Sequence, residues 1–478
     1  MMDAVNHKKT EFTTKESILN HGKNAVGMTV GEIDRYGRLD SDGIKGGVGH
    51  VIEESWYHYK PNSDAEPDFT EAGVELKVTG VIKDKKGDYK AKERLVLNII
   101  NFMDEVKNTF ETGSFWHKNR LLMMFVYEYL KDRPRSEFPI IAADLFTYPE
   151  EDLVIIKDDW AKIVGKIRSG KAHEISEGDT LYLGACTKGA TAATSLRKQP
   201  FSDIPAKQRA YCLKNRYVTY IIQTYILGKK HDERIIKDIK TLKENTFESY
   251  VTSKLARYRG WSIEDLKSEF NVRSKSKDDG SVLAFRILGV KGNRAEELEK
   301  AGVVVKTIRI NQDGSITEKM SFPTFKFQEL VKETWEDSTF ANYLRDTRFL
   351  FIVYRYDENS ILRLLGGQFW NMPYSDLEEE VRSVWERTKE IFQSGTLTVD
   401  IRKNRVYNNL PDSTQNRVSH VRPHGRNRED TYPLPEGTHI TVNSTDGSYK
   451  CPSDRFTKQC FWLNNGYILS QLDERFKE

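Results

Sequence analysis

PDFTEAGVELKVTG, residues 67–80, is the stretch on which the reading of this chain turns. From Val74 onward it has the composition of a strand, with Val74, Leu76 and Val78 alternating against Glu75 and Lys77. Successive strand side chains point to opposite faces, so Glu75 and Lys77 stand side by side on one face. A solvated face carrying an ion pair is the plain interpretation. The other is half of a metal-dependent active site, because Asp68 lies seven residues before Glu75 and the turn FTEAG returns it alongside.

Hydrolysis of a phosphodiester needs a hard divalent cation held by carboxylate oxygens and a water in line with the leaving oxygen. Asp68 and Glu75 suit Mg²⁺, and an ammonium at Lys77 can orient the attacking water. A zinc site would favour His and Cys, and only His50 and His58 are near in sequence. A further acid is expected from the preceding helix, where GGVGHVIEESW (46–56) offers Glu53 and Glu54. The pattern P-D-x6-E-x-K alone is weak in a chain this rich in Asp, Glu and Lys.

The stretch also belongs to a repeat. GMTVGEI (27–33) recurs as GWSIEDL (260–266), AGVELK (72–77) as AGVVVK (301–306), FETGSF (110–115) as WEDSTF (335–340), and LKNRYV (213–218) as LNNGYI (463–468). All four pairs keep their order, which argues for a duplicated domain of a little over 200 residues. The expected organisation is a first copy at 1–228, a charged linker helix at 229–245 and a second copy at 246–478. RSKSKDDGS (273–281) is expected as an insertion in the second copy.

Each copy is expected to be α/β. In the first, helices are expected near 29–38 and 48–58, strands at 93–101, 121–128 and 152–156, and a helix entered near 205–216. LLMMFVY (121–127) and FLFIVY (349–354) have the length of buried strands. Lys and Arg number 74 against 71 Asp and Glu, so a basic surface must be local. Four cysteines without a CxxC pair argue against a disulfide framework and for a reducing cytoplasm, with Cys186 and Cys212 as small apolar fillers. No apolar run reaches the roughly 18 residues of a membrane span, so no membrane role is expected.

KGGVGHVIEE (45–54), PDFTEAGVELK (67–77) and ETGSFWHK (111–118) together resemble the core of the mismatch-repair nicking endonuclease MutH. With the repeat and the segment 176–217, from SEGDTLYLGACTKG to RAYCLKNRY, the chain is similar above all to MutH-like type II restriction endonucleases that cut at GATC. The resemblance implies a restriction-endonuclease-like (PD-ExK, MutH-type) mixed sheet flanked by helices, here as two tandem pseudo-repeat domains. It implies Asp68 and Glu75 as metal-binding acids, Lys77 as the catalytic lysine and Lys118 as a lysine near the scissile phosphate. Glu53 matches the helix glutamate by its spacing from Gly49, but its gap to Asp68 is one residue longer than the family pattern, which leaves Glu54 open. Lys188 matches a lysine of the base-reading loop, although Cys186-Thr187 stands where MutH has Arg-Pro.

Read from the residues themselves, Lys188, Arg197, Lys198, Lys207, Arg209, Lys214 and Arg216, interleaved with Tyr211, can contact phosphates and guanine edges. The second copy keeps Lys306 but has Val304 where Glu75 stands, Glu297 at the place of Asp68, and no lysine for Lys118. It should not hold Mg²⁺. HVRPHGRNRED (420–430) nevertheless supplies Arg422, His424, Arg426 and Arg428 as DNA contacts. The function implied is Mg²⁺-dependent double-strand cleavage at GATC leaving 5′-phosphate ends, with the second copy as an allosteric DNA-binding effector. One active centre per chain implies a second copy of the protein on DNA, and a cognate DNA methyltransferase would be the functional companion. A MutH-like nickase and a silent DNA-binding regulator are the alternatives.

Overall fold

The computed structural model describes residues 12–477, apart from 41–46, 62–63, 190–194, 230–232, 274–278, 317–319 and 404. Most of RSKSKDDGS and part of the segment after Lys188 therefore lie outside the described residues. The chain forms two compact units of mixed α/β structure. The first runs to Tyr250 and takes in Gly289–Val303 as well, and the second comprises Val251–Leu288 and Val304–Glu478.

In the first unit β1 (Glu75–Lys83), β2 (Tyr89–Ala91), β4 (Leu121–Glu128) and β5 (Ile140–Thr147) form a sheet in the order β2-β1-β4-β5. β1 and β4 run parallel, with Glu75 opposite Leu122, while the other pairs are antiparallel. Leu122 to Val126 are all solvent-inaccessible, which is why this strand reads as an unbroken apolar run instead of an alternating one. A second sheet, β3-β9-β6, joins β3 (Leu95–Ile99), β9 (Arg209–Leu213) and β6 (Leu183–Thr187), and β7 (Leu196–Gln199) pairs with β8 (Ser202–Lys207) as a hairpin.

Three expectations need correction. Residues 152–156 are not a strand but part of the helix Glu150–Arg168. Its first turn carries Glu150, Glu151 and Asp152 after Pro149, and Ile155, Ile156, Trp160, Ile163, Val164 and Ile167 bury one stripe. The region 205–216 holds β8 and β9 before a helix begins at Asn215. The stretch expected as a solvated linker buries Ile235 and Ile236 in the first unit, with a short helix at Lys240–Glu244.

The helix Glu296–Ala301, expected in the second copy, belongs to the first unit. A buried charge cluster holds it there. Lys300, 1% exposed, lies 2.7 Å from Asp152 Oδ1 and 2.9 Å from Glu296 Oε1. The Tyr217 hydroxyl donates to the other Asp152 oxygen at 3.0 Å. Glu297 accepts from the amides of Ile235 and Ile236 at 2.9 and 2.8 Å.

In the second unit β10 (Val304–Ile310), β12 (Phe349–Tyr356) and β13 (Leu362–Trp370) form a sheet in the order β10-β12-β13. β10 is parallel to β12 with Val304 opposite Phe349, and β13 is antiparallel to β12. A second sheet places β15 (Gln459–Leu463) between β11 (Met320–Phe325) and β14 (Ser419–Pro423). Local details recur between the units. Thr29–Glu32 and Ser262–Asp265 are both capping boxes. Gly27 donates to Ile140 and Gly260 to Leu364 through the backbone at 2.9 and 2.8 Å. Tyr467 donates to Asp376 at 2.8 Å as Tyr217 does to Asp152.

Candidate active site

The turn after Asp68 closes as its residues demand. Phe69 and Val74 exchange backbone hydrogen bonds of 2.9 and 3.2 Å, with Gly73 at φ +64°, a conformation that favours glycine. This lays Asp68 against the start of β1. The Asp68 amide donates to Glu75 Oε2 at 3.1 Å, and the Leu76 amide donates back to Asp68 Oδ2 at 3.0 Å. Lys77 donates to Glu75 Oε1 at 2.7 Å and to the Leu97 carbonyl at 3.4 Å. The plain interpretation of a solvated ion pair fails here, because Glu75 is only 2% exposed. Burial pushes the Glu75 carboxyl above its ordinary pKa, against the opposing pull of Lys77 and Lys118.

Lys118 comes from the helix Ser114–Asn119. Its ammonium donates to the Asp64 carbonyl at 2.6 Å and lies 3.8 Å from Glu75 Oε1. That helix is fixed by a residue the sequence reading did not single out. Glu105, 1% exposed, accepts from Ser114 Oγ at 2.9 Å, Trp160 Nε1 at 3.1 Å and the Tyr211 hydroxyl at 3.0 Å. Nothing short-range in the sequence marks it, since its partners lie up to 106 residues away.

Glu53 and Glu54 occupy a π-helical turn, Val51–Trp56, and go separate ways. Glu54 is ion-paired with Arg38. Glu53 Oε2 is buried with no hydrogen-bond partner. Burial foremost, helped by Asp68 and Glu75 and opposed by Lys77, pushes the Glu53 carboxyl up to about 7. The hydroxyl of Tyr59, also buried and without a hydrogen-bond partner, feels the same three carboxylates. Among the described residues no three His, Cys, Asp or Glu side chains already converge as a metal cage. The oxygens of Glu75 are engaged by Lys77 and the Asp68 amide, whereas Glu53 presents an orphaned buried oxygen to this neighbourhood. Such a donor set fits a hard cation.

A pH dependence follows. In the unfolded chain Glu53 loses its proton near 4.5, but in the fold it holds it to about 7. The native state is therefore penalised increasingly from pH 4.5 upward and fully above pH 7. Glu53→Gln should stabilise the metal-free protein at pH 8 by at most about 3 kcal/mol and change little near pH 4. Thermal unfolding in chelator at the two pH values measures this, and an equal gain at both would refute it.

The residues expected on DNA divide into two groups. Arg197 and Lys198 are exposed, and Lys188 and Lys207 are half-buried. Arg209 and Tyr211 instead lie buried, because β9 is the central strand of its sheet and is buried along its whole length, and Lys214, which follows it at the start of the next helix, is buried too. Arg209 donates to the Ala185 carbonyl at 2.7 Å, Tyr211 to Glu105, and Lys214 to the Thr180 carbonyl. In the second unit Arg422 and His424 are exposed around Trp462, at 5.7 and 5.4 Å from its ring, and the Arg426 side chain is 91% exposed. Glu297, engaged by backbone amides, is not presented as Asp68 is, and Lys306 is half-buried with its pKa lowered by burial.

A family model described as "DNA mismatch repair enzyme MutH" matches residues 57–159, the segment holding Asp68, Glu75, Lys77 and Lys118. The chain is 39% identical over 490 residues to the "Type II restriction enzyme Sau3AI" of Staphylococcus aureus, covering 97% of this chain and 99% of that protein. It is 28% identical over 176 residues to the "DNA mismatch repair protein MutH" of Shewanella woodyi, covering 36% of this chain and 74% of that protein. The MutH of Shigella boydii is 25% identical over 223 residues, covering 45% and 94% respectively.

Proposed function

Since the chain belongs to the MutH-like family of type II restriction endonucleases, we propose that it cleaves double-stranded DNA at GATC by Mg²⁺-dependent hydrolysis, leaving 5′-phosphate ends. The observation that carries the chemistry is the mutual hydrogen bonding of Asp68 and Glu75 with Lys77 on one of their oxygens. Asp68, Glu75 and Glu53 would hold the cation, with Glu53 favoured over Glu54 because Glu54 is engaged by Arg38. When bound, Mg²⁺ supplies charge neutralisation at the phosphoryl oxygens and acidifies a bound water.

The protein's own residues do the rest. Lys77 orients the attacking water and stabilises the hydroxide it becomes. Lys118, close to Glu75, offers a second ammonium to the scissile phosphate. Lys188, Arg197 and Lys207 bind the duplex, and Arg209, Tyr211 and Lys214 support that surface from within.

The tandem duplication is likewise our inference. It is supported by the parallel β1–β4 and β10–β12 pairs, the two capping boxes and the two tyrosine–aspartate bonds. The C-terminal copy has Val304 in the Glu75 register and therefore binds DNA through Arg422, His424 and Arg426 without cutting it. It acts as an effector, with a second protein copy cutting the other strand. The setting is cytoplasmic, beside a cognate methyltransferase. A nickase reading is weakened because the MutH relatives reported above cover less than half of this chain.

Two measurements test this. Plasmid incubated with protein and Mg²⁺ should be linearised and then fragmented, with ends mapping to GATC and carrying 5′-phosphates; a persistent nick would favour the nickase, and untouched DNA a silent binder. A plasmid with two GATC sites should be cut faster per site than one with a single site, and a short uncleavable GATC duplex should rescue the latter. Equal per-site rates without rescue would remove the effector role.

A further inference from the structure

The β7–β8 hairpin turns through Pro200 and Phe201, since Gln199 pairs with Ser202. Phe201 has φ +63° and is 76% exposed. Two-residue hairpin turns at positive φ favour Gly or Asn, and a bulky aromatic there is rare. The surroundings nevertheless fasten the turn. A Cβ on Gly170, itself at φ +68°, would stand 2.6 Å from the Phe201 carbonyl oxygen, so the turn is backed directly by glycine main chain. Gln199, 5% exposed, accepts from the Ala172 amide at 2.7 Å, meets His173 Nδ1 at 2.9 Å and donates to the Ile204 carbonyl. The backbone is held in an unfavourable conformation while the ring is left in water.

The rest of the hairpin tells what the ring is for. Leu196 and Ile204 are 43% and 54% exposed. Arg197 and Lys198 are exposed, Lys207 is half-buried, and Asp203 is the one acid of these two strands. At its base the Lys188 amide donates to the Gln208 carbonyl at 2.8 Å and the Gln208 amide to the Ser195 carbonyl at 2.6 Å. The hairpin thus begins beside the lysine assigned to base reading. From there the five residues from Leu196 to Pro200 at the turn reach roughly 17 Å, about five base pairs along a duplex.

We propose that this hairpin binds the DNA flanking the recognised base pairs, with Phe201 pressed against a base step or the edge of the sugars and its cations on the phosphates. The proposal rests on the nuclease reading above. Apolar side chains serve as wedges at base steps, and aromatic contact with bases is tolerant of sequence, as a flank requires. The net positive charge of the hairpin argues for a nucleic acid over a second protein copy.

The test uses the full-length protein and two GATC duplexes in the absence of Mg²⁺, one ending at the site and one extended by about ten base pairs on each side. Phe201→Gly and Phe201→Asn both accept the backbone conformation without the ring, so their Tm should be at or above that of the wild type. Their affinity for the extended duplex should fall on the order of tenfold, removing its advantage over the short one, with the salt slope unchanged. Lys198→Ala should instead lower the slope by about 0.9. Variants that bind the extended duplex as the wild type does overturn the hairpin proposal alone. So does a loss of self-association at unchanged DNA affinity. A wild-type protein that binds neither duplex overturns the nuclease reading together with it.

Discussion

Glu75→Ala is expected to reduce DNA cleavage by on the order of a thousandfold or more, while leaving binding to a GATC duplex nearly intact. The carboxylate is buried at the head of β1, receives Lys77 at 2.7 Å and the Asp68 amide at 3.1 Å, and faces Lys118 at 3.8 Å. On the proposed function, removing it deletes a cation ligand and leaves two ammonium groups without their shared anion, so activity would be lost through the metal and the lysines together. The proposed DNA surface around Lys188 and Arg197 lies outside β1, Lys188 following β6 and Arg197 within β7, and is untouched. Single-turnover cleavage beside a binding titration separates the two effects. Cleavage near the wild-type rate would place the reaction elsewhere, and a parallel loss of binding would show that Glu75 organises the DNA surface.

The largest stability effect is expected at Lys300. Its ammonium is 1% exposed and Asp152, its partner at 2.7 Å, is 2% exposed. Truncation to alanine leaves the buried Asp152 carboxylate facing only the Tyr217 hydroxyl, while Glu296 keeps Arg234 at 3.0 Å, a loss of about 3–5 kcal/mol for an uncompensated buried charge. Combining Lys300→Met with Asp152→Leu should recover much of that loss, because an apolar pair of similar volume carries no desolvation penalty. Thermal or urea unfolding of the three proteins decides it. A single variant within about 1 kcal/mol of the wild type would mean that water reaches Asp152.

The clustering of Asp68, Glu75 and Lys77 is legible in the sequence because it obeys short-range rules. A two-residue strand period puts Glu75 and Lys77 together, and a five-residue glycine turn returns Asp68. Legibility ended where partners are remote or the period changes. The π-helical turn at Val51–Trp56 shifts the phase of the helix, so spacing does not tell Glu53, whose buried oxygen has no hydrogen-bond partner, from Glu54, which Arg38 engages. Residues 152–156 read as a strand in a short window, and only the stripe from Ile155 to Ile167 reveals the helix. By residue type Arg209 and Lys214 read as surface charges, yet each is buried and donates to a main-chain carbonyl. Glu105, Tyr59 and Lys300 had no local signature at all.

The helix Glu296–Ala301 has a genealogical meaning. Its residues lie, in chain order, between two pieces of the second unit, yet its buried lysine completes the first. A gene shortened after Tyr250 would encode the first unit without Lys300, leaving Asp152 without its ion-pair partner. If the protein arose by duplication, this exchange of a segment acts as a ratchet. In that case the second half could replace an acid by Val304 without cost, but a single-copy form would no longer be one deletion away.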